Sequence, residues 1–132
     1  MPIPPNLSRQ YPQSYEKDTT NLEEMNKLSI KALSVNRAWA GRRFKTPEYK
    51  AFEQEMLLTL PKLKVPEGKL FLRLEFGFSN SGSDIDGPTK TVIDCLSKKY
   101  LFNDNRIYLL EVAKEVVSKG SEYIAFDFSS LD

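Results

Sequence analysis

From Lys69 to Ser79 apolar and polar side chains alternate. Leu70, Leu72, Leu74, Phe76 and Phe78 fall on one side and Lys69, Arg73, Glu75 and Ser79 on the other, which predicts a strand entered from a Pro66-Glu67-Gly68 turn. The period is helical where Tyr49, Phe52, Met56 and Leu60 recur three and four residues apart. Thr46 and Pro47 supply an N-cap and a first-turn proline for that helix, and Pro61 stops it. A second helix is predicted from Pro88 to Lys99. Its Val92, Ile93 and Leu96 point toward a core, while Lys90 and Asp94 stand one above the other on the opposite side, in line with Asp86. Alternation of Leu28, Ile30 and Ala32 predicts a short strand ending near Val35. Ile107 to Val117 fits both periods. It reads as a strand, because Ser118-Lys119-Gly120-Ser121 suits a hairpin and Ile124, Phe126 and Phe128 alternate beyond it, so the last two segments are expected to pair as an antiparallel ribbon.

The first 26 residues carry Pro2, Pro4, Pro5 and Pro12 without an apolar period and read as a flexible arm, leaving 27–132 as one domain. A chain of 132 residues with 40% hydrophobic content buries roughly two-thirds of its unfolded surface and needs no disulfide. Its one cysteine, Cys95, cannot form an internal bridge, and no run is long enough to span a bilayer, so a soluble protein of a reducing compartment is expected. No histidine occurs, which removes Ser-His-Asp and Cys-His chemistry and the usual zinc sites. Oxygen ligands remain.

Chemistry concentrates between Asp84 and Asp104. Asp84 and Asp86 are two apart, so in an extended chain both leave on one side and could share a cation. Lys90 and Asp94 follow on the helix, and Asp104 arrives in an Asn103-Asp104-Asn105 turn that can fold back toward the helix start. Any one of these aspartates could simply be solvated. Together they repel one another unless a cation or the lysine compensates, and Mg²⁺ suits such a set because it needs only one or two carboxylates beside water and phosphate oxygens. An EF-hand register fails, since with Gly87 at the sixth loop position the first and twelfth fall on Gly82 and Ile93. A nucleotide-sugar D-x-D rests on two letters and lacks a glycine-rich phosphate loop.

A net charge of +1 points to no polyanion by itself, but Asn36 to Lys45 holds Arg37, Arg42, Arg43 and Lys45, with Trp39 and Phe44, and no acid. These cations suit a DNA backbone and the aromatics a stacked base. The plainer reading is solvated arginines around a half-buried Trp39.

The segments S-D-I-D-G-P-T-K-T-V-I-D-C-L and L-F-N-D-N-R-I, with S-V-N-R-A-W upstream, resemble the RusA family of Holliday junction endonucleases, over about Leu28 to Phe128. The resemblance implies an α/β (α+β) fold with a small mixed four-stranded sheet and two main helices. It also implies a cytoplasmic homodimer, bacterial or phage-encoded, that resolves four-way DNA junctions by paired symmetric nicks in recombination and repair. On it Asp84, Asp86 and Asp104 match the essential acids, Lys90 the catalytic lysine and Asp94 the acid one turn later. The three acids would hold Mg²⁺, or Mn²⁺ in its place, Lys90 would offset charge on the phosphate, and Asp94 would orient Lys90 or water. DNA contacts would fall on Asn36, Arg37, Trp39, Arg42, Arg43 and Lys45. Gly87 stands where the family often has asparagine, and Asn103 where it often has a second aspartate. A non-catalytic protein that binds branched DNA, and a nuclease for flaps or forks, are the competing expectations.

Overall fold

A computed structural model describes residues 25–40 and 44–132. The chain runs through β1 (Asn26–Leu28), a one-turn helix α1 (Val35–Ala38), the short strands β2 (Trp39–Ala40) and β3 (Phe44–Lys45), and helix α2 (Pro47–Thr59). It continues through β4 (Leu70–Phe78), helix α3 (Asp86–Tyr100), a 3₁₀ turn (Asp104–Arg106), β5 (Ile107–Val116) and β6 (Tyr123–Ser130). Four strands form a mixed sheet in the order β1-β6-β4-β5, with β5 parallel to β4 and the other neighbours antiparallel. This is the α+β architecture expected, a mixed sheet with two long helices.

β4 occupies the middle because it has apolar surface to hide on both faces. Leu70, Leu72, Leu74 and Phe76 are buried against the helices, and Phe71 is buried on the other face. Placing such a strand between two partners satisfies both of its hydrogen-bonding edges at once. The expected ribbon between the last two strands therefore does not form. β6 pairs with β4, Leu72 opposite Phe128 and Phe76 opposite Ile124, and β5 takes the far edge of β4. The segment between β5 and β6 crosses the end of β4, where Val117 N donates to Phe78 O at 2.7 Å.

Both long helices start as their sequences dictate. Thr46 Oγ1 accepts from Tyr49 N at 3.1 Å to cap α2, whose Tyr49, Phe52 and Met56 are buried. α3 begins two residues before Pro88 and buries Thr91, Val92, Cys95 and Leu96. Tyr100, Phe102, Phe126 and Phe128 lie with ring centroids 5.5 to 6.3 Å apart, mostly edge to face, and close the core where the end of α3 meets β6.

Two expectations about the first part of the chain change. The strand read from Leu28 to Val35 is a ladder of Asn26–Leu28 only, against Ile124 to Phe126, and it begins at the last residue assigned to the arm. Leu28 and Ile30 are both buried, so their alternation reports packing beyond the point where the ladder ends. Residues 1–24 lie outside the described residues. Asn36–Lys45, expected as a loop, contains α1 and the β2–β3 pair, with Trp39 opposite Lys45 and Ala40 opposite Phe44. No helix of the described residues is long and apolar enough to cross a membrane.

Two backbone positions give stability predictions. A Cβ at Gly77 would stand 2.3 Å from the Tyr123 ring, which lies across the strand with its hydroxyl donating to Glu75 Oε1 at 2.6 Å. Gly77→Ala should destabilise the fold by about 1–3 kcal/mol, the usual cost of overpacking, read as a lower urea midpoint. Leu101 closes α3 at φ 55° and is 89% exposed, so it carries left-handed strain with little packing in return. Leu101→Gly should raise stability by about 1 kcal/mol in the same measurement.

Candidate active site

The unit β4–α3–β5 assembles the acidic residues. β4 ends at Phe78, and residues 79–85 lead to α3 through a loop held from β5: Lys114 Nζ donates to Ser83 O at 2.8 Å and to Ser81 O at 3.2 Å, and Ser83 Oγ donates to Asn80 Oδ1 at 3.0 Å. Asp84 sits in this loop. Ile85 already has helical backbone angles, φ −71° and ψ −27°, and Asp86 is the first residue of α3. The pair is thus not an extended D-x-D; the chain turns between the two because the helix starts earlier than Pro88. Asp84 and Asp86 line a cleft of about 800 Å³, together with Lys31, Arg37, Glu48 and Glu122.

Across the cleft's rim the segment before α1 packs on the start of α3. Thr91 Oγ1 lies 2.8 Å from Leu33 O and 2.9 Å from Pro88 O, sharing its one proton between them. Gly87 permits the approach, for a Cβ there would stand 3.0 Å from Ser34 Oγ. The glycine that departs from the RusA pattern thus has a packing reason of its own.

Lys90 is one turn further along α3. Its ammonium is 2.8 Å from Asp94 Oδ1 and 3.9 Å from Asp104 Oδ2. The hydrogen bond to Asp94, reinforced by the charges of Asp94 and Asp104 against a modest burial, holds the Lys90 pKa above its ordinary value, so the group is cationic at neutral pH. Asp104 reaches it because the left-handed Leu101 reverses the chain after α3, and Ser97 Oγ donates to Phe102 O at 2.7 Å within that reversal. Asn103 caps the following 3₁₀ turn by accepting from Asn105 N at 3.0 Å. An aspartate is not needed there for the turn to form.

Lys90, Asp94 and Asp104 therefore come together, and Asp84 and Asp86 reach the wall of the adjoining cleft. The five do not close into one cage. Among the described residues no group of three or more carboxylates, cysteines or histidines is placed to hold a metal ion. The donors are of the right kind for Mg²⁺, hard and exposed, but substrate oxygens and water would have to complete the shell. The cleft wall carries five carboxylates, Glu48, Glu55, Asp84, Asp86 and Glu122, against the cations Lys31 and Arg37. Such a surface repels a phosphate unless a divalent ion lies between them.

The basic segment divides. Arg37 is exposed on the cleft, and its carbonyl accepts from Thr46 Oγ1 at 2.7 Å. Arg42 and Arg43 lie outside the described residues; Asn36 falls in α1, and Trp39 in β2 opposite Lys45. Lys45 is engaged within the fold, its Nζ 2.9 Å from Glu53 Oε2 and 5.0 Å from the centre of the Tyr49 ring. Glu53 also accepts from Lys98 at 3.1 Å, which ties the base of the hairpin to α2 and α3. Sequence reasoning placed neither Glu53 nor Lys114 near the site, since nothing local marks a residue whose partners are 8 to 45 positions away. Cys95 is fully buried, and burial pushes its thiol pKa up to about 12, so it is no nucleophile. The chain matches no family model and none of the curated proteins compared with it.

Glu53 gives the site a pH dependence. Burial raises its pKa, but the hydrogen bonds and charges of Lys45 and Lys98 together outweigh it and leave the carboxyl below its ordinary 4.5. A depressed carboxylate contributes stability above its unfolded pKa and loses it as pH falls through the folded value. The difference in urea midpoint between wild type and Glu53→Gln should therefore be constant near pH 7 and shrink below about pH 4.5.

Proposed function

We propose that the protein is a Mg²⁺-dependent endonuclease of the RusA type that nicks branched DNA, with four-way junctions as its substrate. The observation that carries the reading is the Lys90 ammonium, held between Asp94 and Asp104 one helical turn from the cleft that Asp84 and Asp86 line. Lys90 is a cation beside a surface rich in carboxylates and can stabilise negative charge developing on a phosphate. Asp94 holds it there. Asp84, Asp86 and Asp104 would be the ligands of Mg²⁺, completed by DNA phosphate oxygens and water. When bound, the ion would neutralise charge between the acidic wall and the phosphate and lower the pKa of a coordinated water. Arg37, which lines the cleft, would receive the DNA backbone, and Arg42 and Arg43 continue its basic segment in sequence. Two symmetric nicks need two sites, so a homodimer is the fitting assembly.

A second reading has one observation in its favour. Among the described residues the acids are not gathered into a metal site, which suits a protein that binds branched DNA without cutting it.

Nicking of four-way junctions, flaps, forks and linear duplex, with Mg²⁺, with Mn²⁺ and with EDTA, separates these readings. Cleavage of junctions in Mg²⁺, abolished by EDTA, is expected. Lys90→Ala, Asp84→Asn and Asp104→Asn should each slow it by about a hundred- to a thousandfold while junction binding persists. Wild-type rates in these variants would defeat the assignment. Binding without nicking in either metal would favour the second reading, and preference for flaps or forks would redirect the substrate.

A further inference from the structure

Lys114 stands on β5 opposite Phe76 of β4, and its side chain leaves the strand to meet the loop that carries Asp84. The ammonium donates to Ser83 O at 2.8 Å and to Ser81 O at 3.2 Å, two carbonyls that bracket Gly82. That loop, residues 79–85, reads S-N-S-G-S-D-I and has little to bury. Asn80, Ser81, Gly82 and Asp84 are exposed, and so is Ile85 at its far end. Both ends are fixed. Val117 N donates to Phe78 O at 2.7 Å where the loop leaves β4, and Thr89 Oγ1 donates to Ile85 O at 2.6 Å where it enters α3. Between these anchors Lys114 reaches in from the neighbouring strand.

We propose that Lys114 is a positioning residue: by holding the Ser83–Asp84 peptide it sets where Asp84 stands at the cleft wall, and so how tightly that carboxylate holds a divalent ion. The inference rests on the reading of Asp84 as a Mg²⁺ ligand and adds the group that orders it. A polar loop with glycine at its centre has many backbone states, and a ligand mounted on it must be ordered each time an ion binds. Two bonds from one ammonium remove that freedom beforehand. The peptide unit is planar, so holding the Ser83 carbonyl also fixes the nitrogen and α-carbon of Asp84. These bonds are charge-assisted, stronger than those between neutral groups. They also close a loop whose ends are already in place, so little further entropy is lost in making them. Asp86 has its own support, since it is the first residue of α3. Lys114 therefore acts on the cleft aspartate that the helix does not hold, and groups that orient a metal ligand weigh heavily on affinity.

Lys114→Met keeps the length of the side chain and removes the ammonium, whereas Lys119→Met removes the same charge from the exposed turn after β5. One arm of the test needs no metal. In ¹⁵N relaxation of the full chain, the backbone amides of residues 81–84 should be as ordered as those of β4 in wild type and in Lys119→Met, and mobile in Lys114→Met. In wild type the Lys114 ammonium should itself be more ordered than that of Lys119, a measurement that needs no substitution. The second arm follows Mn²⁺ by paramagnetic broadening of the Asp84 and Asp86 amide signals. Lys114→Met should need about ten- to a hundredfold more Mn²⁺ for half-maximal broadening, and Lys119→Met should stay within about twofold of wild type. Lys114→Met added to Asp84→Asn should bring no further weakening. Junction nicking should show the same division, with a higher half-saturating Mg²⁺ concentration and a kcat at saturating metal close to wild type. Unchanged order of residues 81–84 in Lys114→Met, a Lys114 ammonium as mobile as that of Lys119, or equal weakening in both lysine variants would overturn the proposal. If Mn²⁺ broadens neither signal in wild type while the loop still loses order in Lys114→Met, the reading of Asp84 as a metal ligand fails and Lys114 only holds the loop.

Discussion

β4 is buried on both faces and hydrogen-bonded on both edges, and its demand for complete enclosure sets the positions of the other elements. One edge must take a parallel strand and the other an antiparallel one, because the chain returns to β5 through α3 and to β6 through a short crossing. A parallel neighbour requires a crossover long enough to hold a helix, and α3 is that crossover. The acidic residues lie at its two ends as a direct result, Asp84 and Asp86 where the chain leaves β4, Asp104 where it prepares to enter β5. Loops at the carboxyl ends of parallel strands are common places for ligands because the strand holds the backbone while the loop is free to vary. Here the loop is further restrained by Lys114 from the neighbouring strand.

The charged residues around α3 fall into two groups. Lys98 and Lys45 share Glu53 and Lys45 lies over the ring of Tyr49, while Asp94 receives Lys90, which also faces Asp104. Each exposed pair is weak alone. The first group gains from Tyr49, which is buried in the core, and from Glu53, whose side chain is 15% accessible. Lys45 of the hairpin and Lys90 are thereby mounted on the same pair of helices.

Periodicity located β4, α2 and α3 because each has one face that must be hidden and a pattern long enough to declare its period. It also identified β5 as a strand. It misjudged pairing, since Ile107–Val116 and Tyr123–Ser130 are joined by a connection that would equally make a hairpin, and only the enclosure of β4 decides against it. Lys90, Asp94 and Asp104 were legible as a group: two of them are four apart on a helix, and the third follows a short reversal. Glu53 and Lys114 were not, because their significance lies in partners on other elements.

The amino-acid order alone determined the secondary structure of the core, the caps of α2, the absence of histidine chemistry and the concentration of acids around one lysine. These depend on neighbours within about four residues, where spacing and geometry are the same thing. Tertiary structure decided which strand stands at the centre, that Asp86 joins the helix while Asp84 stays in the loop before it, and that Lys45 and Lys98 converge on Glu53. Each of these depends on contacts between distant segments, whose free energy is settled by what the whole core can bury.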